Sequence, residues 1–330
     1  MRQAMILHPG FVRARAALLK ALDTDEEGQL IFVIGLSGAG KSEVRYAVMP
    51  IFAGDPETWP KGGLPAISVR AAPTDRSNFS SKEFASRLYL EILEPNLGWL
   101  ARRGSVEDAD QGHTHADARL ESPFWKGLRS HLTEHRLRAC FERMAVARGL
   151  RAVFVEEATS MTHTQSGKDP RDHMVNCMCL AEEIKATMVF FGVPRMAALW
   201  QGNAEIRRRA HFVFVDRYRI QEKSDRPAFG RLAVSLASRY QFSRADLLVK
   251  NLDLAYAASA GVCGELKGYL RRADDLRASE GHHAIHKRHL ENAIYPPEEL
   301  DTLHRDVEAF DGLKASTPWS TTRRFFKHAR

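Results

Sequence analysis

Eight consecutive residues carry the clearest chemistry in the chain. Gly35-Leu36-Ser37-Gly38-Ala39-Gly40-Lys41-Ser42 satisfies G-x-x-x-x-G-K-[ST] at every fixed position. Small residues let consecutive backbone N–H groups turn inward around phosphate oxygens, at the positive end of the helix that follows. Lys41 then reaches the β- and γ-phosphates of a nucleotide, and Ser42 ligates Mg²⁺. The expected nucleotide contacts are Gly35, Ser37, Gly38, Ala39, Gly40, Lys41, Ser42 and Glu43. ATP and Mg²⁺ are the implied cofactors.

A second constellation, Val153-Phe154-Val155-Glu156-Glu157, is an apolar run delivering two acids. Beside a phosphate loop it has the shape of a Walker B motif, with Glu156 in the Mg²⁺ shell and Glu157 orienting or activating the attacking water. Glutamate in place of the usual aspartate lengthens the metal contact, and switch-like use of ATP is as open as rapid turnover. A solvated strand end is the plainer alternative. Glu205-Ile206-Arg207-Arg208-Arg209 precedes another apolar run. Either one of the three arginines is presented to a neighbour's γ-phosphate, or the cluster is a basic helix end favoured by the helix dipole. Gly264-Glu265-Leu266-Lys267 offers Lys267 as a residue that senses nucleotide from a lid, or as an ordinary surface lysine.

The elements that position these groups follow from periodicity. Residues 29–35, 64–71, 151–155, 187–192 and 211–215 read as buried parallel strands alternating with helices over 11–22, 41–48, 80–93, 124–148 and 171–186. Ser80-x-x-Glu83 has the pattern of a capping box. This predicts a doubly wound α/β domain over 1–218, with a polar insertion at 104–119. Helices at 227–240, 243–254, 255–278 and 283–294 predict a small helical lid over 219–296, and 297–330 reads as a basic tail.

The composition excludes a disordered or fibrous chain. The 330 residues are 44% hydrophobic and 27% charged, with a net charge of +7. That charge is uneven: Lys314, Arg323, Arg324, Lys327 and Arg330 bring +5 in the last 18 residues, leaving +2 for the rest. Four unpaired cysteines fit a reducing compartment. With no signal peptide and no apolar run near the ~20 residues a membrane span needs, a soluble cytoplasmic protein is expected. His173, Cys177 and Cys179 lack the fourth ligand of a zinc site, and His282, His283, His286 and His289 are read as decorating a surface helix.

In combination, these features resemble the AAA+ superfamily of ATPases. The stretches GLSGAGKSEV, VFVEEATSM, MVFFGVPRMAALW, EIRRRAHFVFVDRY and AGVCGELKGYLRRA look like the TnsC/TniB group of transposition regulators, over about residues 8–295. The resemblance implies ATP-dependent homo-oligomers, rings or filaments around double-stranded DNA, which link a target selector to a transposase and disassemble on hydrolysis. Carried over by position, it also implies trans arginines at Arg207–Arg209, a lid sensor at Lys267, and a DNA face with phosphate contacts from Arg70, Arg76 and Lys82. Ser77 and Asn78 are lesser contacts there, and the contacts would be largely independent of base sequence. Val193 stands where the family has a polar sensor, so sensing is lost there or supplied elsewhere. The rival readings are a replication-initiator, loader or defence ATPase, and a small-molecule kinase using the same loop.

Overall fold

The apolar runs assemble as one parallel sheet. In a computed structural model, which describes residues 9–24, 26–71, 78–100, 119–164 and 168–315, the strands are β1 (Leu30–Gly35), β2 (Ala66–Arg70), β3 (Ala152–Glu156), β4 (Thr187–Gly192) and β5 (Ala210–Val215). Their order is β2-β3-β4-β1-β5. All six residues of β1 are buried, as suits the strand flanked by β4 and β5. β5 lies at an edge and exposes His211 and Phe212. Because every pairing is parallel, the C-terminal ends collect on one side of the sheet, with Gly35 level with Val215 and Arg70 level with Glu156.

Helices α1 (Pro9–Leu22), α2 (Lys41–Ala53), α3 (Ser81–Leu93), α4 (Pro123–His131), α5 (Glu134–Ala147), α6 (Pro170–Ile184) and the short α7 (Ala204–Arg208) complete the α/β unit. The proline expected to stop α2, Pro50, lies inside its last turn, and Gly54 N–H closes the helix on the Pro50 carbonyl. Ser80 caps α3 by accepting from Glu83 N–H, as the capping pattern predicts. The single helix expected over 124–148 is two, because Leu132 and Thr133 are extended and Thr133 caps α5.

The lid has its own core around Phe229, Leu232, Leu266, Tyr269 and Leu290. Its helices are α8 (Asp225–Ala237), α9 (Leu247–Lys250), α10 (Leu252–Ser259), α11 (Cys263–Ser279) and α12 (Lys287–Asn292). The helix expected over 255–278 is interrupted by Ala260 and Gly261, both left-handed. A side chain at Gly261 would fall 2.2 Å from the Tyr218 carbonyl oxygen, so the break is where the lid meets the end of the α/β unit.

The tail reading fails for residues 297–314. They form α13 (Pro297–Lys314), whose Val307 and Phe310 are buried in the main core, with Phe310 edge-on to Phe214. Asp311 binds Arg217 at 2.8 Å and Arg219 at 2.7 Å, tying the helix to the link between the two units. Residues 316–330 and most of the 104–119 insertion lie outside the described residues, although Arg119 holds Glu91 at 2.9 Å. Among the described residues, no helix is long and apolar enough to cross a membrane.

Candidate functional site

The phosphate loop connects β1 to α2, and its glycines are there for backbone reasons. Gly38 and Gly40 have φ of +71° and +93°, a region strained for any residue with a side chain. Gly40 is the N-cap of α2 and leaves its first N–H groups open to a ligand. Gly38 also touches the lid: its carbonyl accepts from Gly264 N–H at 3.0 Å, at the start of α11. A side chain on Gly264 would meet Gly38 Cα at 2.6 Å. The lid thus rests on the loop through two glycine backbones.

Lys41 is the charge inside this cradle. Its Nζ donates to the carbonyls of Gly35 at 3.0 Å and Leu36 at 2.8 Å. Burial lowers its pKa to about 8, and among the described residues no ionised group offsets that. A buried ammonium held only by carbonyls fits a polyphosphate, whose charge would restore what burial removes. The residues present therefore fit a nucleotide. Ser42 is exposed in the first turn of α2, where its hydroxyl is open to a metal.

The carboxylates are arranged differently. β4 separates β3 from β1, which sets the acids roughly 10 Å from the loop strand, room for a phosphate and a water. Glu156 forms an ion pair with Arg45 of α2 and takes a hydrogen bond from Ser68 Oγ at 3.4 Å. Glu157 has a left-handed backbone (φ +52°) just beyond β3 and meets Arg70 of β2 at 2.5 Å. Two arginines thus cancel the charge of both acids. This donor set does not fit a carboxylate-held Mg²⁺, because Glu156, the acid expected to bind the metal, already turns Oε1 to the Arg45 guanidinium and Ser68 Oγ. Near the end of β4, Val193 N–H donates to Thr159 Oγ1 at 3.0 Å, so the hydroxyl nearest the missing sensor belongs to Thr159.

No protein-family profile matches the sequence, nor does any curated protein. Solved structures do. The chain is similar to a Walker-type ATPase of Pyrococcus abyssi, at 18% identity and TM-score 0.49, over 88% of this chain and 74% of that one. It is similar to the ORC2 protein of Aeropyrum pernix in ADPNP–ADP complexes, at 12% identity and TM-score 0.49, over 92% and 72%. A third is domain III of the replication initiation protein DnaA of Thermotoga maritima, at 10% identity and TM-score 0.45, over 88% and 95%.

The remaining expected residues fall into place unevenly. Arg209 is engaged within the chain by Glu182 of α6, whereas Arg207 and Arg208 are exposed at the end of α7. Lys267 is exposed on α11, one turn beyond Gly264 and on the same helix face. Lys82 is exposed in the first turn of α3, and Asn78 is half-buried before it. Arg70 is bound to Glu157 rather than standing open, and Arg76 and Ser77 lie outside the described residues.

The lid histidines need a correction. His289 is buried, not on the surface, and it converges with Glu280 and His282. His289 Nδ1 accepts the His286 N–H at 3.0 Å, which leaves its proton on Nε2, 3.1 Å from Glu280 Oε2. A metal would need that nitrogen bare, and Arg288 already holds the same carboxylate at 2.8 Å. The cluster is a strut of the lid. Sequence reasoning missed Arg45 altogether; the available signal was a lone arginine flanked by Val44, Val48 and Met49 on an otherwise apolar helix face.

Proposed function

We propose that this chain is an ATP-operated switch of the AAA+ type that assembles on duplex DNA. The observation that carries the reading is the Lys41 ammonium, held by the Gly35 and Leu36 carbonyls and with no ionised partner among the described residues, in a left-handed glycine loop beneath the first turn of α11. Phosphate binding there would act on the lid directly, because Gly38 and Gly264 share a hydrogen bond. Exposed Arg207 and Arg208 beside the edge strand β5 support a contact with a neighbouring copy, and exposed Lys82 supports a phosphate-backbone contact. The resemblance to TnsC/TniB regulators supports the finer reading: control of transposition through a target selector and a transposase.

Fluorescence anisotropy of a labelled duplex, with electron microscopy in ATP, a non-hydrolysable analogue and ADP, tests the proposal. DNA binding and oligomers that depend on ATP, and that Lys41→Ala abolishes, are expected. Binding that ignores nucleotide would refute the switch.

A further inference from the structure

Arg45 is a buried charge on a helix face that is otherwise apolar. It stands one turn beyond Ser42, and three elements fix it. Its Nη1 donates to Ser68 Oγ of β2 at 2.6 Å, its guanidinium lies over the Tyr46 ring of α2 at 4.0 Å, and its ion pair is with Glu156 of β3. The side chains are only 3% and 14% exposed, so water screens the pair weakly.

We infer that Arg45 is the resident counter-ion of Glu156 and displaces magnesium from it, so that this site binds polyphosphate without a carboxylate-held metal. The inference rests on the nucleotide reading above. A carboxylate facing a guanidinium has little left for a divalent cation, and that cation would sit beside a fixed positive charge. An unpaired pair of acids would repel a triphosphate and need a metal as bridge. Here Arg45 and Arg70 have already neutralised both, and Lys41 supplies the attraction.

The test is the affinity of the full chain for a fluorescent ATP analogue, measured with Mg²⁺ and with a chelator. The wild type is expected to differ between the two conditions by less than about threefold. Arg45→Met exposes Glu156 as an unpaired anion, so the ratio should rise to about tenfold or more, and Arg45→Met/Glu156→Gln should return it to the wild-type value. Arg45→Lys keeps a cation on Glu156 and should keep the low ratio, which covers the case in which Arg45→Met does not fold. A wild-type ratio of about tenfold that Glu156→Gln abolishes would assign Glu156 to the metal and overturn the inference, whereas a ratio that Glu156→Gln leaves intact would put the metal on Ser42 and the phosphates and uphold it. No binding by folded wild type in either condition would instead remove the nucleotide reading itself.

Discussion

The phosphate loop and the carboxylate pair lie at the C-terminal side of one sheet, yet they are built on opposite principles. The loop works through backbone: left-handed Gly38 and Gly40, open N–H groups at the start of α2, and an ammonium left short of charge. The ends of β2 and β3, with α2 beside them, work through oppositely charged side chains that pair with one another, Arg45 with Glu156 and Arg70 with Glu157. One region is prepared for a ligand and the other is balanced without one. A motif therefore guarantees position, while availability depends on partners that the motif does not contain.

Removing the charge from the loop should break this comparison most completely. Lys41→Ala takes away the charge-assisted contact to the phosphates, about 3 kcal/mol or roughly 100-fold in ATP affinity. Titration calorimetry checks it, and an unchanged affinity would place the nucleotide elsewhere. Gly264→Ala should come next, lowering affinity by about tenfold. Its new Cβ would collide with Gly38 Cα, a backbone atom that cannot swing aside, and would hold the lid off the loop. The lid keeps its own core, so the melting temperature should barely move. Equal affinity would mean that the lid plays no part in binding.

The pH dependence sharpens the same contrast and has two opposite signs. Burial lowers the Lys41 pKa to about 8 from an ordinary value of 10.5. Phosphate needs the charged form, so ATP affinity should fall as pH rises through about 8, and Lys41→Met should be flat over that range. Between 8 and 10.5 the unfolded chain holds a proton that the fold lacks, so this group's contribution to stability should rise with pH. Denaturant titrations across the window should show stability and affinity moving apart.

How legible these features are in sequence follows from the same division. Strand β1 and the loop are local: an apolar run, small residues at fixed spacing, and a helix start. All five strands of the sheet could be read because each is a short continuous apolar run, within a residue or two of its observed limits. The break at Ala260–Gly261 was hidden, since helical spacing continues on both sides and only packing against Tyr218 demands the turn. Helix α13 is legible by contrast, although 297–330 reads as a tail on its charge: Leu300, Leu303, Val307, Phe310 and Leu313 recur at helical spacing, and Val307 and Phe310 reach the core. The Arg45–Glu156 pair joins residues 111 positions apart, and Arg70–Glu157 joins residues 87 apart, so no local pattern encodes either one. Likewise, the role expected of Arg70 on a DNA face comes from family position, while its actual partner comes from the register of β2 on β3.

Arg70 offers the finest test of the balanced region. Its pair with Glu157 is partly exposed, 36% and 48% for the two side chains, so solvent limits its strength to ~1 kcal/mol or less. Arg70→Gln should free Glu157 to accept a proton from water and raise ATP hydrolysis by no more than about fivefold. If Arg70 also touches DNA phosphate, the same change should lower the slope of log affinity against log salt by about one, with little change in base preference. The two readouts separate the two roles. A faster rate with an unchanged salt slope would keep Arg70 as a restraint on Glu157 and remove it from the DNA face. A lower slope with an unchanged rate would reverse that assignment.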